Sequence, residues 1–254
     1  MPYTLAHPAA VLPLRGVRYL RTAPLFIGAM VPDARDYVPS GIRQYLVRMH
    51  EWDRSYSTCL LLGCAVFVAV FVLRRPLTVL LSARARWLCL NALAPFSDDP
   101  VEWLFAPFAI LLGIWTHLLW DSFTHTYGVL VRDVTWLRTP VNIGWYHGML
   151  YHVLQYVSSA FGLVVLAWWY SRLRTPPLSA LQLGAQRPAV GPGLALVAGV
   201  ALFIGGVKAA DYFAQTGSIY WTTNVLLTRA MAWFVLLNLV AGSIVMLYQR
   251  HEGG

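Results

Sequence analysis

Five long apolar segments dominate the sequence and limit the folds that the chain can adopt. They cover residues 56–73, 101–120, 149–170, 191–210 and 225–248. A helix rises 1.5 Å per residue, so each segment could cross a hydrocarbon layer of about 30 Å. Only 12% of the 254 residues are charged, about half the fraction typical of a soluble domain. We therefore expect an all-α integral membrane protein with about five transmembrane helices, and not a soluble enzyme.

The apolar region 8–31 precedes these spans and is interrupted by prolines and arginines. The interruptions predict two short helices that lie on the bilayer or re-enter it, whereas a sixth full span is the weaker alternative. We expect one membrane domain over 1–254, made of an interfacial segment (1–55), a five-span bundle (56–248) and a tail (249–254). Residues 78–93 are typical of an interfacial amphipathic helix, and the proline-containing stretch 172–192 of a solvated loop.

The basic residues indicate an orientation in the membrane. With 19 basic and 11 acidic residues the net charge is +8, but most arginines flank apolar segments, which favours contact with lipid headgroups over nucleic acid. One set of alternate loops holds eight basic residues, namely Arg74, Arg75, Arg84, Arg86, Arg172, Arg174, Arg187 and Arg250, and the other set holds three, namely Arg132, Arg138 and Lys208. The first set is therefore expected in the cytoplasm, although the 55 N-terminal residues, with seven arginines, oppose this orientation.

Three ionisable residues share one helix face at the end of the second span. His117, Asp121 and His125 are four residues apart, so on a helix they fall within about 80° of arc. A charged side chain at a span centre costs roughly 2.5 to 3.5 kcal/mol, and a shared divalent cation would offset that cost. The spacing therefore predicts a metal site or a direct catalytic role, and the alternative is a hydrogen-bonded cluster that holds spans together.

Topology brings further polar residues to the same side of the membrane. Everything before the first span lies on the side where the second span ends, and the third span begins there. The residues expected at that level are His7, Asp33, Asp36, His50, Asp53, His147, Tyr151, His152, Gln155, Ser158 and Ser159, together with Lys208, Asp211 and Arg229. Six of the seven histidines thus lie on one side, which makes a single site the simplest interpretation.

Four motifs carry a family resemblance. They are residues 1–10 (MPYTLAHPAA), 27–33 (IGAMVPD), 116–125 (THLLWDSFTH) and the pattern Tyr151-x-x-x-Gln155-x-x-Ser158-Ser159-x-x-Gly162. Together they resemble the bacterial membrane family designated domain of unknown function 4184. The His-Pro opening, the Pro-Asp turn and the His-x-x-x-Asp helix are also similar to those of bacterial proteins described as membrane-bound metal-dependent hydrolases. In that family small residues and a glycine usually follow the histidine that corresponds to His50, whereas Glu51-Trp52-Asp53-Arg54 follow it here.

The resemblance and the shared face together imply a hydrolase of a lipid or lipid-linked ester or phosphoester. Its expected metal ligands are His7, His117, Asp121 and His125, with Asp33 and His50 as further candidates. These residues would hold one or more divalent ions, and zinc is the first candidate because several of the ligands are imidazoles. A metal-bound water with a lowered pKa would attack the bond, and Asp33 or Asp36 would take its proton, with Asp121 as a further catalytic candidate. The candidates for substrate binding are Arg15, Arg18, Arg21, Tyr151, Gln155, Ser158 and Ser159.

Structural interpretations compete with several of these roles. His7 could cap a short helix, Asp33 suits a turn, and Gln155, Ser158 and Ser159 suit interhelical hydrogen bonds. The arginines could simply face headgroups. Three whole-protein alternatives also remain: a metal-free membrane enzyme that uses an Asp acid on an isoprenoid or lipid, an ion or proton transporter, and a structural membrane protein.

Overall fold

A computed structural model of the protein describes residues 3–144, 146–174, 176–177 and 190–252. Most of these residues are helical. The α-helices are, in chain order, α1 (Thr22–Met30), α2 (Ala34–Tyr37), α3 (Ser40–Arg43), α4 (Leu60–Val72), α5 (Arg74–Thr78), α6 (Ala83–Leu93), α7 (Pro95–Asp98), α8 (Val101–Thr124), α9 (Val129–Asp133), α10 (Leu150–Arg172), α11 (Val190–Thr216) and α12 (Ile219–Glu252).

The five predicted spans are confirmed. The helical stretches long and apolar enough to cross a membrane are Trp52–Val72, Val101–Asp133, Leu150–Arg172, Gly191–Thr216 and Trp221–Gln249, among the residues that the structure describes. The first begins with a 3-10 turn at Trp52–Arg54 and a π-helical turn at Ser55–Cys59, which lead into α4. The protein is therefore an all-α membrane protein, as its apolar segments predict.

The N-terminal region forms two short helices, which confirms the prediction for residues 8–31. A 3-10 helix occupies Thr4–Gly16 and contains Pro8 and Pro13. Proline has no backbone N–H and clashes with the preceding turn of an α-helix, so these two residues favour the tighter 3-10 form. Helix α1 follows, and a 3-10 turn at Val31–Asp33 then brings Asp33 to the end of this segment.

Some connections differ from the sequence prediction. An antiparallel hairpin pairs β1 (Pro140–Ile143) with β2 (Tyr146–Met149) in the register Val141 with Gly148, which the sequence analysis does not anticipate. The stretch predicted as one interfacial helix over 78–93 is divided between α5 and α6, and Ser82 caps α6 by accepting a hydrogen bond from the Ala85 N–H. Most of the predicted loop 172–192, with Arg187, lies outside the described residues.

The described residues fall into two compact units. The first comprises residues up to Arg35, Gln44–Phe67 and Phe96–Arg174, and the second comprises Asp36–Arg43, Val68–Pro95 and the described residues after Arg174. The single domain expected over 1–254 stays a prediction. In the second unit α11 packs on α12, and the buried Asn238 of α12 donates a hydrogen bond to the Leu77 carbonyl oxygen 2.8 Å away.

In the first unit α1 packs closely against α8. Gly113 of α8 faces the backbone of α1, where an added Cβ would lie 2.7 Å from Ala29 N, and Gly28 of α1 faces the Ile110 carbonyl group in the same way. Any side chain at these two positions would separate the helices. A core that includes Leu25, Ala29 and Ala109 fills the interface, and this close approach fixes α1 next to the polar face of α8.

Candidate metal centre

Four side chains form a group whose donor atoms could hold a metal ion. Asp33, His50, His117 and Asp121 each offer one ligand atom, and these atoms lie within 4.8 Å of one another. Asp33, His117 and Asp121 are buried, and His50 is partly exposed. All four belong to the first unit. The structure thus joins the predicted residues of the second span to two candidates from the N-terminal segment.

The spacing of these atoms suits ligands of one ion. His50 Nε2 lies 3.0 Å from Asp33 Oδ1 and 3.4 Å from Asp121 Oδ2. His117 Nε2 lies 3.7 Å from Asp33 Oδ1 and 3.3 Å from Asp121 Oδ2. Nitrogen and oxygen ligands at about 2.0 to 2.1 Å from a tetrahedral ion would lie about 3.3 Å apart. These four nitrogen–oxygen separations are therefore of the size expected for ligands of one ion.

The hydrogen bonding of His117 points to the same conclusion. Its Nδ1 lies 2.8 Å from the Ala29 carbonyl oxygen, and a carbonyl oxygen can only accept, so Nδ1 carries the hydrogen. In the neutral ring the Nε2 lone pair then faces the carboxylates of Asp33 and Asp121. His117 Nε2 is buried and has no hydrogen-bond partner among the described residues. A cation between the lone pair and the carboxylates would relieve this repulsion and satisfy Nε2.

Asp33 is held in place as an ionised ligand. The Thr4 hydroxyl donates to Asp33 Oδ2 over 2.6 Å, and His50 Nε2 is the neighbour of Oδ1. Burial alone would raise the pKa of Asp33, but the charge of His117, when its ring is protonated, and the hydrogen bond from His50 lower it below its usual value. Outer hydrogen bonds of this kind orient metal ligands. The 3-10 helix at the N-terminus therefore supports the group without contributing a ligand atom from Thr4.

The remaining oxygen of Asp121 faces two further histidines. His7 Nε2 lies 3.6 Å from Asp121 Oδ1, and His125 Nδ1 lies 3.2 Å from it. His7 is 1% exposed, and burial lowers its pKa to about 3, so its imidazole is neutral. Both residues are predicted ligands from the sequence, and the structure brings them to Asp121 but not into the group of four.

The loop before the first span delivers His50. Arg48 adopts a positive φ of 64°, and the adjacent Met49 is buried. The Cys59 thiol donates to the Met49 carbonyl oxygen over 3.1 Å, so the π-helical turn holds the loop at Met49. Glu51 pairs with Arg48 instead of entering the group. This ion pair links the residues on either side of His50.

A cavity of about 720 Å³ reaches the group at His50 and Asp121. Tyr127 lines this cavity, and its hydroxyl donates to Asp121 Oδ2 over 3.3 Å. Three arginines, Arg35, Arg48 and Arg132, lie at the cavity wall. Arg48 is paired with Glu51 and Asp53, whereas Arg35 and Arg132 are exposed. The metal group therefore opens to a polar space with cationic side chains.

The predicted arginine group lies elsewhere. Arg21 forms an ion pair with the buried Glu102 at the start of α8, roughly 28 Å along the helix from Asp121. The Arg18 guanidinium lies over the ring of its neighbour Tyr19, which stacks on Phe105 near the same helix end. These contacts leave Arg18 and Arg21 away from the cavity at His50.

Arg15 also lies away from the site. Its guanidinium is 5.5 Å from the ring centre of Trp169, about 20 Å along α10 from Gln155. The structure therefore brings none of Arg15, Arg18 and Arg21 to the metal group. Cationic side chains reach the cavity from other positions, which hydropathy and spacing did not single out.

The polar residues of α10 connect elements. Ser159 Oγ accepts a hydrogen bond from the Tyr3 N–H over 3.0 Å, and Ser158 Oγ accepts one from the Trp120 indole over 3.0 Å. Gln155 is buried, and Tyr151 packs in an apolar cluster with Val131 and Leu137. The interhelical interpretation thus accounts for both serines. Their predicted role in substrate binding stays a prediction.

Asp36 belongs to the second unit and not to the group of four. It lines a cavity of about 380 Å³ with Arg43, Lys208, Asp211 and Arg229. Asp33 is thus a ligand candidate with a neighbour at each oxygen, and Asp36 shares its cavity with three basic side chains.

Sequence reasoning missed four contributors, namely Thr4, Ala29, Tyr127 and Arg132. Ala29 acts through a backbone carbonyl group, so its side chain carries no signal. Thr4 and Tyr127 have a weak sequence signal, because Thr4 lies one turn before His7 and Tyr127 follows His125 by two residues. The only sequence signal of Arg132 is its charge.

Comparisons with known proteins bear on the whole chain. No curated protein and no solved structure matches it. A sequence model of a protein family, described as "Domain of unknown function (DUF4184)", matches residues 1–247. Because this match covers nearly the full length, the chain belongs to the DUF4184 family, as its four motifs predicted.

Proposed function

We propose that the protein is a membrane-bound hydrolase that depends on a divalent metal and acts on an ester or phosphoester of a lipid or lipid-linked substrate. The observation that carries the proposal is the group of Asp33, His50, His117 and Asp121 within 4.8 Å at the inner end of a polar cavity. Two carboxylates and two imidazoles in one buried group are costly without a cation and suited to one.

Zinc is the first candidate metal for this set of donor atoms. Imidazole nitrogen with carboxylate oxygen is a common zinc environment, and the unpartnered Nε2 of His117 is the atom that such an ion would satisfy. When bound, a divalent ion supplies Lewis-acid chemistry, since it polarises a carbonyl or phosphoryl oxygen and acidifies water. Because His50 and Asp121 also line the cavity, a substrate entering it would reach the ion from this side.

The cavity wall indicates an anionic group in the substrate. Arg35 and Arg132 are exposed arginines at the wall, and neither has an ion-pair partner within the described ranges. Arginine binds phosphate and carboxylate oxygens through paired N–H groups. The Tyr127 hydroxyl, 3.3 Å from Asp121 Oδ2, would donate to a substrate oxygen beside the metal group. These contacts favour a phosphoester over a neutral ester.

An apolar groove supports a lipid substrate. It has a volume of about 640 Å³ and is lined by the opposite side of α8, through Leu119, Trp120 and Phe123, and by Leu154 and Phe161 of α10. Trp120 also lies edge-on to His7, with the ring centres 5.8 Å apart. Helix α8 thus carries polar ligands on one face and a groove suited to a hydrocarbon chain on another.

We propose that this site lies on the extracytoplasmic face of a bacterial inner membrane, and the distribution of basic residues in the sequence supports this orientation. A metal-free enzyme or a proton pathway would use the same carboxylates without an ion. Metal content and sensitivity to a chelator separate these possibilities.

The test measures metal and turnover in the detergent-purified full chain. Zinc content by mass spectrometry is compared for the wild type, Asp33→Asn and His50→Gln, with folding followed by circular dichroism. Hydrolysis is measured with bis(p-nitrophenyl) phosphate and p-nitrophenyl butyrate, before and after EDTA and after zinc is restored. We expect bound metal and zinc-dependent turnover in the wild type, and loss of both in the variants.

Asp211→Asn is the matched control, because Asp211 is an exposed carboxylate of the second unit. It should retain metal and activity. A folded wild type that binds no zinc, even after zinc is added, would overturn the proposal. Turnover that persists in EDTA would instead favour the metal-free enzyme.

A further inference from the structure

The two oxygens of Asp121 face two different pairs of histidines. Oδ2 lies 3.4 Å from His50 Nε2 and 3.3 Å from His117 Nε2. Oδ1 lies 3.6 Å from His7 Nε2 and 3.2 Å from His125 Nδ1. One carboxylate therefore stands between two sets of nitrogen donors, and only the first set belongs to the metal group described above.

We infer that the protein binds a second divalent ion, held by His7, His125 and Asp121 Oδ1, with the Asp121 carboxylate bridging the two ions. This inference rests on the proposed function, because the first ion occupies the group that contains Asp33 and His50. Pairs of divalent ions about 3.5 to 4 Å apart are typical of enzymes that cleave phosphoesters, since together they stabilise the attacking and leaving oxygens.

The stacking of two imidazoles supports this spacing. The rings of His7 and His117 lie 3.8 Å apart at an angle of 21°. Their Nε2 atoms approach opposite oxygens of the same carboxylate. Two nearly parallel rings that each bind an ion through Nε2 would hold those ions at about the distance of the stack. This distance agrees with the separation of about 3.5 to 4 Å in two-metal sites.

Unpartnered buried atoms surround the second position. Both ring nitrogens of His7 and the Oδ1 atom of Asp121 are buried without a hydrogen-bond partner in the part of the chain that the structure describes. A buried polar atom that stays without a partner destabilises the folded protein. His7 Nε2 and Asp121 Oδ1 are close without hydrogen bonding to each other, as ligands of a shared ion are. A second ion would satisfy both.

Thr124 offers a competing partner for His125. Its Oγ lies 3.1 Å from His125 Nδ1 and 3.2 Å from the Trp120 carbonyl oxygen, to which its hydroxyl donates. If His125 Nδ1 carried a hydrogen, it could donate to Thr124 Oγ or to Asp121 Oδ1, which lies 3.2 Å away, and it would not bind metal. If Nδ1 is unprotonated, its lone pair can bind the second ion beside Asp121 Oδ1. The two arrangements predict different metal contents.

The test counts ions in the full chain loaded with Zn²⁺ alone and freed of excess metal. We expect about two zinc ions per wild-type chain and about one in His7→Gln and in His125→Gln. The same proteins loaded with Mn²⁺ are examined by electron paramagnetic resonance. The wild type should give the signal of a spin-coupled ion pair, and the two variants the signal of an isolated ion.

His147→Gln is the matched control, because His147 is exposed on the hairpin and bonds to Asn142. It should keep the wild-type count. One zinc ion per wild-type chain, or a count that neither His7→Gln nor His125→Gln lowers, would overturn the second site and leave the proposed function standing. No zinc in the wild type would overturn both. Since the count in the wild type decides, a variant that fails to fold does not remove the test.

Discussion

The imidazole of His117 donates a hydrogen bond from Nδ1 to the backbone carbonyl oxygen of Ala29 over 2.8 Å. This bond fixes which nitrogen of His117 can bind a metal, and it joins α8 to the end of α1. Because α1 leads directly to Asp33, the same contact sets the distance between two ligand candidates on different helices. The packing of α1 on α8 is therefore part of the metal site.

We predict that Gly113→Ala weakens metal binding without altering a ligand. A Cβ on Gly113 would lie 2.7 Å from Ala29 N, so α1 must move away from α8 and the hydrogen bond to His117 must lengthen. Loss of an outer hydrogen bond typically lowers metal affinity by about 10-fold to 100-fold. Zinc affinity measured by competition with a chelator would reveal the change.

Gly199→Ala is its control, because a Cβ at Gly199 meets no atom within 4 Å. This change should leave zinc affinity unaltered and raise helix stability by up to about 1 kcal/mol. Equal zinc affinity in Gly113→Ala and the wild type would show that the contact between α1 and α8 does not position His117.

We predict that Thr4→Val lowers zinc affinity by about 10-fold to 100-fold, since it removes the hydrogen bond to Asp33 Oδ2 while it preserves side-chain volume. Thr4→Ser should restore most of the affinity because it keeps the hydroxyl group. The comparison with Thr228→Val is informative: Thr228 is also buried, but its hydroxyl bonds to the Asn224 carbonyl oxygen of its own helix. An equal loss in both valine variants would indicate a general effect of burying valine.

The helices could be predicted because their signal lies in long, uninterrupted runs of apolar residues. The polar face of α8 could be predicted as well, since the spacing of His117 and Asp121 is a local property of a helix. The division of the N-terminal stretch into two short helices could also be predicted, because Pro13 and Pro24 interrupt it, but the 3-10 form of the first was not predicted.

The composition of the site was harder to predict because it depends on packing between distant segments. Topology places His7, Asp33 and His50 on one side of the membrane, but it does not say which atom meets which. The prediction that Arg21 binds substrate does not take Glu102 into account, a buried acid at the start of α8 with which the exposed Arg21 forms an ion pair. The two residues are 81 positions apart in the sequence, so no local pattern indicates that they pair.

We predict that Arg132→Gln raises the KM for bis(p-nitrophenyl) phosphate by about 10-fold to 100-fold, because it removes one charge-assisted hydrogen bond of about 1.5 to 3 kcal/mol. The KM for the neutral ester p-nitrophenyl butyrate should change little, and kcat for both should be retained. Steady-state kinetics of the zinc-loaded protein measure both constants.

Arg15→Gln serves as the control for charge alone, because Arg15 lies against Trp169 and away from the cavity. It should leave both KM values unchanged. If Arg15→Gln and Arg132→Gln raised KM for the phosphodiester equally, the effect would come from the net charge of the protein and not from the cavity wall.

We expect the ion pair of Arg21 and Glu102 to stabilise the fold, and its removal to leave the metal site unaffected. Glu102 is 2% exposed, so Glu102→Gln leaves its partner without a charged acceptor, and we predict a loss of about 1.5 to 3 kcal/mol in the free energy of unfolding. Zinc content should stay at the wild-type value, because roughly 28 Å of α8 separates Glu102 from Asp121. Thermal unfolding in detergent and metal analysis of the same sample measure both effects. Loss of zinc from folded Glu102→Gln would mean that the two ends of α8 are coupled, and Arg21 would then return as a contributor to the site.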